Sequence, residues 1–305
     1  MNILDLNFSL ISIDKVKRKP IRISIGNEYY TISKHNEDFY LYSDRCRHRG
    51  ARLEFANPCK DNHLVCPYHG KKNEPLKKLF VKYNFLWIEE PIFFSEVPSH
   101  FHFCGSKEVQ LSAPFHVVVD NFNEGSHTPF VHRFLGPHFS DLSQTEFSWQ
   151  SEPDYVHIKY KTNQKKNFLF YGFNKRRNID WIIDWKTYVN PLYMRYYSEW
   201  ILREKQKNIL EKNMTFFFIV PKGKDSSSIV SFVFVEPLSW LKYFPWLLKK
   251  ISMLLTTNQI MEDERFYPKI YDLPLSFDGM DLDKYDEPLI EIRKRASAFY
   301  TDFLK

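Results

Sequence analysis

Glycine is scarce in this chain, nine residues in 305, and cysteine is scarcer still at four. Few glycines suggest a well-packed interior, and four cysteines, two of them in a metal-like pattern, argue against a disulfide framework. No glycine-rich dinucleotide fingerprint occurs, so the reading excludes a nicotinamide or flavin nucleotide held by this chain. There is no basic run of the length nucleic acid requires and no nucleic-acid motif, so no such partner is expected. The net charge of +6 supports no more than a mild preference for acidic partners. Long apolar runs are missing too. The most apolar window, Trp240 to Leu255, is interrupted by Lys242, Pro245, Lys249 and Lys250 and falls short of the roughly 20 apolar residues that cross a bilayer. It reads as a surface or core helix, with interfacial membrane contact as the lesser alternative. The first residues carry Asp5 where a secretory leader carries positive charge, and no small-residue cleavage site follows, so a cytoplasmic protein is expected. What is plentiful is apolar and aromatic side chain. Apolar residues make up 43% and aromatics 17% against 26% charged, which excludes disorder and allows an interior built around an apolar cavity. A chain of this length holds one large core or two modest ones.

Strand patterns dominate the first part. Ile21, Ile23 and Ile25 alternate, Tyr29 to Ser33 follows a turn at Gly26-Asn27, and Phe39 to Tyr42 follows Asn36-Glu37-Asp38. Two loops rich in Cys, His, Gly and Pro come next, then a strand at Asn84 to Ile88 and an exit through Pro91 and Pro98. A domain boundary is expected near Cys104 to Pro114, dividing the chain into 1–107 and 108–305. Beyond it, Phe115, Val118, Val119 and Phe122 recur at helical spacing, so 115–134 is expected to be helical in part. Val156 to Thr162, Asn178 to Val189, Leu192 to Ile201, Met214 to Val220 and Ile229 to Val235 read as strands, with Pro221 to Ser228 as a hairpin loop. A helix is expected up to Met261–Arg265 and another from about Glu287 to the C-terminus.

Two constellations carry chemistry. In the first, Cys46-Arg47-His48-Arg49-Gly50 is followed, after seventeen intervening residues counted from His48, by Cys66-Pro67-Tyr68-His69-Gly70. Each loop offers one thiolate and one imidazole, the inventory of a [2Fe-2S] cluster with two Cys on one iron and two His on the other. A glycine after each His lets the backbone turn sharply toward the cluster. A structural zinc site is the competing reading, since two Cys and two His also suit tetrahedral zinc. The basic stretch from Arg45 to Lys82 reads either as solvated surface or as a docking face for an acidic electron donor.

The segment Asp44 to Gly70 resembles the Rieske domain of ring-hydroxylating oxygenases and related demethylases. The resemblance makes Cys46, His48, Cys66 and His69 the cluster ligands. The sequence departs from the family after Gly70, where Lys71-Lys72-Asn73-Glu74-Pro75 stands in place of an aromatic residue and a glycine-containing hairpin. Cys59 has no matching cysteine after His69, which disfavours the disulfide-bearing respiratory relatives. Cys59 and Cys104 are read as packed thiols and His63 as a surface residue.

In the second constellation, Asp120 to His132, a carboxylate at Glu124 is followed by His127 and His132. Glu124 and His127 share a face of an ideal helix, and a break at Pro129 would let the two imidazoles converge. Two His and one carboxylate with open positions form the facial triad of non-haem iron enzymes. Here too the run resembles the Rieske oxygenases, which makes His127 and His132 iron ligands. The family places an Asp where Glu124 stands, as an electron-transfer bridge to a cluster His of a neighbouring subunit, and Asn121 is expected to support the ligands from behind. The third ligand is expected on a late helix at Asp263, with Glu262 and Glu264 as competitors.

The resemblance therefore implies an α+β chain: an all-β Rieske [2Fe-2S] domain, then an α+β helix-grip catalytic domain with an antiparallel sheet. It implies a [2Fe-2S] cluster and mononuclear Fe(II), electrons from a separate NAD(P)H-dependent reductase or ferredoxin, O2, a small organic substrate and a homotrimer. Hydroxylation or oxidative dealkylation is expected, with cis-dihydroxylation as the alternative on the same sites. A non-catalytic electron carrier or a zinc-stabilised binding module is the competing class, but neither needs the second constellation. Trp181, Trp185, Tyr193 and Phe216 to Phe218 are candidate pocket residues, although strand-core packing explains them equally well.

Overall fold

The computed structural model describes residues 11–16, 19–25, 28–133, 136–164, 179–270 and 276–296. Several sequence expectations fall outside these residues: the turn at Gly26-Asn27, the first ten residues, Phe134, Asn178 and the last nine residues. The chain divides into two compact units, 1–96 and 97–305.

The first unit is built from short antiparallel strands. β1 (Ile11–Ser12), β2 (Ile21–Ile25), β3 (Glu28–His35) and β4 (Asp38–Ser43) are followed by β5 (Asn57–Pro58), β6 (Leu64–Val65), β7 (Lys72–Asn73), β8 (Lys77–Lys78), β9 (Phe80–Lys82) and β10 (Phe85–Trp87). They form three sheets ordered β2-β3-β4-β8, β1-β10-β9 and β5-β6-β7. Inward residues Ile32, Leu41, Leu86 and Ile88 close one core, while Tyr42, Leu53 and Leu64 pack with Cys46 and Cys66 in another.

Among the described residues, the second unit is one eight-stranded antiparallel sheet and four α-helices. Its strands are β11 (His102–Leu111), β12 (Glu146–Ser151), β13 (Tyr155–Asn163), β14 (Ile179–Val189), β15 (Leu192–Leu202), β16 (Lys207–Asn208), β17 (Lys212–Gly223) and β18 (Ser226–Glu236). The order is β11-β18-β17-β15-β14-β13-β12, with β16 against β15. The mixed α+β class with antiparallel sheets stands as expected.

Two expectations change. β11 was missed, because Gly105, Ser106, Lys107 and Glu108 mask its alternation; it pairs with β18 along its length, so a junction at 107/108 would cut a paired strand. The loop expected at Pro221 to Ser228 is mostly strand, with only Lys224 and Asp225 between β17 and β18. The stretch 115–133 is helical in part, as expected. It is α1 (Phe115–Asn121), a non-helical crossing, and a single turn α2 (Thr128–Val131) with Pro129 in its first turn, where a missing N–H costs nothing.

α3 (Pro245–Glu264) lays Leu248, Ser252, Thr256, Ile260 and Asp263 along one buried stripe at intervals of three to four residues. α4 (Glu287–Arg295) is tied to α1 by a buried pair, Arg293 Nε donating to Asp120 Oδ1 at 3.0 Å. Among the described residues, no helix is long and apolar enough to cross a membrane.

Candidate metal centres

The two loops of the first unit are wired alike. Gly50 N donates to Cys46 O at 2.9 Å and Cys46 N to Ala51 O at 2.8 Å; Gly70 N donates to Cys66 O at 3.0 Å and Cys66 N to Lys71 O at 2.9 Å. Gly50 and Gly70 sit at φ +75 and +66, the left-handed region that a side chain disfavours. Both thiols are buried and both imidazoles exposed, with the His48 and His69 rings 4.8 Å apart. Burial pushes the Cys46 thiol up, but hydrogen bonds from the His48 and Arg49 backbone and from Asn73 and Cys66 bring it below the usual range, as suits a thiolate ligand.

Asn73, which the sequence reading passed over as part of a departure from the family, joins the two loops. It is 4% exposed, its Oδ1 accepts from Arg47 N at 3.2 Å, and its Nδ2 donates to Lys71 O at 3.0 Å and Leu64 O at 3.3 Å. Below the first loop, buried Asp44 accepts from Thr31 Oγ1 at 2.8 Å and pairs with Arg22 at 2.8 Å. The four Cys and His do not share the single tight cluster of donor atoms that a lone tetrahedral zinc gathers, unlike the next set.

In the second unit, His127, His132 and Asp263 bring one donor atom each within 4.8 Å of one another. His127 is the residue before α2, His132 the residue after it, and Asp263 lies in the last turn of α3. Each imidazole is held at Nδ1 by a carboxylate: His127 by Glu124 at 3.1 Å and His132 by Glu262 at 3.2 Å. A carboxylate only accepts, so both Nδ1 atoms carry the proton and both Nε2 lone pairs face the site. Asp263 Oδ1 lies 3.6 Å from each Nε2, is buried and has no hydrogen-bond partner. Two lone pairs and an orphaned carboxylate oxygen converge, so this donor set fits a cation.

The proton affinities agree. Burial lowers His127, but the Glu124 and Asp263 carboxylates outweigh it and raise it; burial raises Asp263, and His132 and His127 offset only part. Without a cation a raised His127 tends to keep a proton on Nε2 as well, and a cation bound through that lone pair would displace it.

The three candidate acids on α3 have separate tasks. Glu262 holds His132 and also accepts from Arg133 N at 3.3 Å, Asp263 points into the site, and Glu264 accepts from Ser112 N at 3.0 Å. Asn121 supports the Asp263 carboxylate by a side-chain hydrogen bond. Glu124 is not on a helix face with His127. It lies in the crossing, where it accepts from His127 N at 2.7 Å and Ser126 Oγ at 2.9 Å. Asn123 Nδ2 donates to Val119 O at 2.7 Å, Thr187 Oγ1 donates to Asn123 Oδ1, and Tyr196 donates to Phe122 O, which pins the crossing to β14 and β15.

The donor set opens on a cavity of about 320 Å³. Strand alternation decides its wall: Trp181, Trp185 and Phe217 line it, whereas Tyr193, Phe216 and Phe218 stack together on the other face of the sheet. Trp181 stacks on Trp200 and Trp185 on Tyr196 as cross-strand pairs. No Lys or Arg lines the cavity among the described residues.

A further group, Cys59, Asp61 and His63, which the sequence did not bring together, also places one donor atom of each within 4.8 Å of the others. It is closed on itself: Cys59 Sγ donates to Asp61 Oδ1, and Lys72 pairs with Asp61 Oδ2 at 2.7 Å. Cys104 is buried against Val233, Val235 and Leu248, and all four cysteines are free.

The Rieske [2Fe-2S] domain profile matches residues 8–76. Methylxanthine N1-demethylase NdmA of Pseudomonas putida is 35% identical over 51 residues, a match spanning 17% of this chain and 14% of that relative's length. Dicamba monooxygenase bound to dicamba has a similar structure, with a TM-score of 0.68 at 13% identity and 95% of each chain covered. NdmA of Pseudomonas putida CBB5 with caffeine superposes with a TM-score of 0.65 at 14% identity, covering 97% of this chain and 93% of that one. Residues 8–76 thus match the Rieske [2Fe-2S] domain family. Beyond that segment, the likeness to these two solved structures is one of fold.

Proposed function

We propose that this chain is the oxygenase component of a Rieske non-haem iron oxygenase system that hydroxylates or oxidatively dealkylates a small, largely apolar or aromatic substrate. In this reading Cys46, His48, Cys66 and His69 hold the [2Fe-2S] cluster, and His127, His132 and Asp263 hold the mononuclear iron. When bound, the cluster relays single electrons and the iron activates O2 for attack on the substrate. The single observation carrying the reading is the orphaned Asp263 Oδ1 facing two Nε2 lone pairs at the wall of an aromatic cavity.

The chain's own residues provide orientation and shelter. Glu124 and Glu262 fix the ring orientation and tautomer of the two histidines, and Asn121 steadies the carboxylate. The wall of Trp181, Trp185 and Phe217 excludes water and offers flat apolar surface to a ring. The named activities of dicamba monooxygenase and the methylxanthine demethylase support dealkylation as the first reaction to try. Exposed His48 and His69 are rimmed by exposed Arg47, Arg49 and Lys71, a surface suited to an acidic ferredoxin or reductase domain. A homotrimer, with Glu124 as the bridge to a neighbour's cluster and a cytoplasmic setting for the free thiols, completes the proposal.

The test is anaerobic purification with iron, acid-labile sulfide and zinc analysis and EPR, for the native chain and for His127→Ala with His132→Ala. About three irons and about two sulfides per chain are expected, with about one iron lost in the double variant and the cluster signal kept. Zinc without sulfide would overturn the reading.

A further inference from the structure

One surface of the second unit is explained neither by the core nor by the metal sites. Trp240, Tyr243 and Trp246 are 61%, 71% and 66% exposed, and Leu238, Phe244 and Leu254 beside them are exposed as well. Between Glu236 and Glu262 there is no acidic residue, and the three cations Lys242, Lys249 and Lys250 are all exposed. The exposure is built in. Ser239 Oγ accepts from Leu241 N at 3.1 Å, Ser239 N donates to Glu211 at 3.2 Å, and Leu241 packs against the cluster of Cys104, Val233, Val235 and Leu248. The segment is anchored from below while its aromatic rings point away. At about 100° per residue, Trp246, Lys250 and Leu254 fall on the side of α3 opposite its buried stripe.

We propose that the segment Leu238–Leu254 binds the surface of an anionic lipid bilayer. Trp and Tyr favour the headgroup level, where their apolar bodies and polar tips are both satisfied. Lysine stems cover apolar surface while their ammonium groups meet lipid phosphates, and the unbroken positive sign complements an anionic leaflet. A protein partner fits less well, because lysine is depleted at the centre of protein interfaces. The contact is interfacial and does not span the bilayer. The helix carrying Trp246 and Lys250 outward also lends Leu248, Ile251 and Leu255 to the cavity wall, which puts the lipid-binding face on the element that borders the cavity. The proposal does not depend on the oxygenase reading.

The experiment is flotation of the full-length, cofactor-loaded protein with vesicles of phosphatidylcholine alone and of phosphatidylcholine with phosphatidylglycerol in equal amounts. Tryptophan emission and light scattering are recorded in parallel. The native protein should float with the mixed vesicles, shift its emission to the blue, and bind less at high salt. Trp240→Ala with Tyr243→Ala and Trp246→Ala, and separately Lys242→Glu with Lys249→Glu and Lys250→Glu, should each weaken partitioning about tenfold or more, with metal content unchanged. The charge-reversed protein alters only exposed side chains and so serves if the aromatic variant fails to fold. Failure of the native protein to float, or variants that float equally well, would refute the proposal. So would a native protein that stays in solution as an oligomer which the aromatic variant dissociates, since a second copy would then cover this face.

Discussion

The candidate cluster loops of the first unit and the candidate iron site of the second are built on different length scales. Each cluster loop supplies its own thiolate, imidazole, glycine and backbone bonds within a few consecutive residues, and the same wiring is used twice. The candidate iron site gathers His132 and its supporting Glu262 from positions 130 residues apart. A motif that folds on itself survives as a string of letters, whereas a site assembled across a sheet and a distant helix depends on the packing of the whole unit.

The largest effects should come from removing a donor in each unit. Cys66→Ser should abolish acid-labile sulfide while the second unit still takes up one iron. Asp263→Ala should keep the cluster spectrum, lose the mononuclear iron and reduce any turnover by about 10³-fold or more. Loss of both metal centres in either variant would show that the units do not load independently.

The next effect separates neighbouring acids on α3. Glu262→Gln should weaken iron binding by about 10- to 100-fold, because His132 loses the carboxylate that fixes its tautomer. Glu264→Gln should leave iron affinity unchanged and cost about 1 kcal/mol of stability through its bond to Ser112 N, measured by chemical denaturation. Equal iron loss in both would remove the distinction between supporting and capping acids.

Asn73→Ala comes next, leaving the Arg47 N–H without its side-chain acceptor and the Lys71 carbonyl with only Cys66 N as donor. A loss of about 1–3 kcal/mol is expected, seen as bleaching of the cluster absorbance at lower temperature, with iron in the second unit retained. The smallest effect tests the likeness of the two loops. Gly50→Ala and Gly70→Ala should each cost about 1–2 kcal/mol by the left-handed backbone alone, since open space surrounds both positions. Unequal costs would show that the loops differ in more than position.

Much was readable from the residues in order. The strands at 156–162, 192–201 and 229–235 were visible in their aromatic and β-branched runs, and the helix ending near Met261 in its apolar spacing. β11 was not visible, because an edge strand with Gly, Ser, Lys and Glu at its centre lacks the alternation that marks a half-buried strand. Of the candidate pocket residues, Trp181, Trp185 and Phe217 share one face of the sheet and Tyr193, Phe216 and Phe218 the other. Side-chain direction alternates with every residue, and only the packed sheet shows which face meets the cavity.

By itself the sequence determined the two cluster loops and the Glu124, His127 and His132 run, because those donors lie within a few residues of one another. Only the tertiary structure decided that Asp263 faces the histidines while Glu262 and Glu264 turn to other partners, and that Asn73 ties the cluster loops together. Adjacent acids are chemically interchangeable as letters. They become different when helix geometry points each in its own direction and burial leaves one of them without a partner.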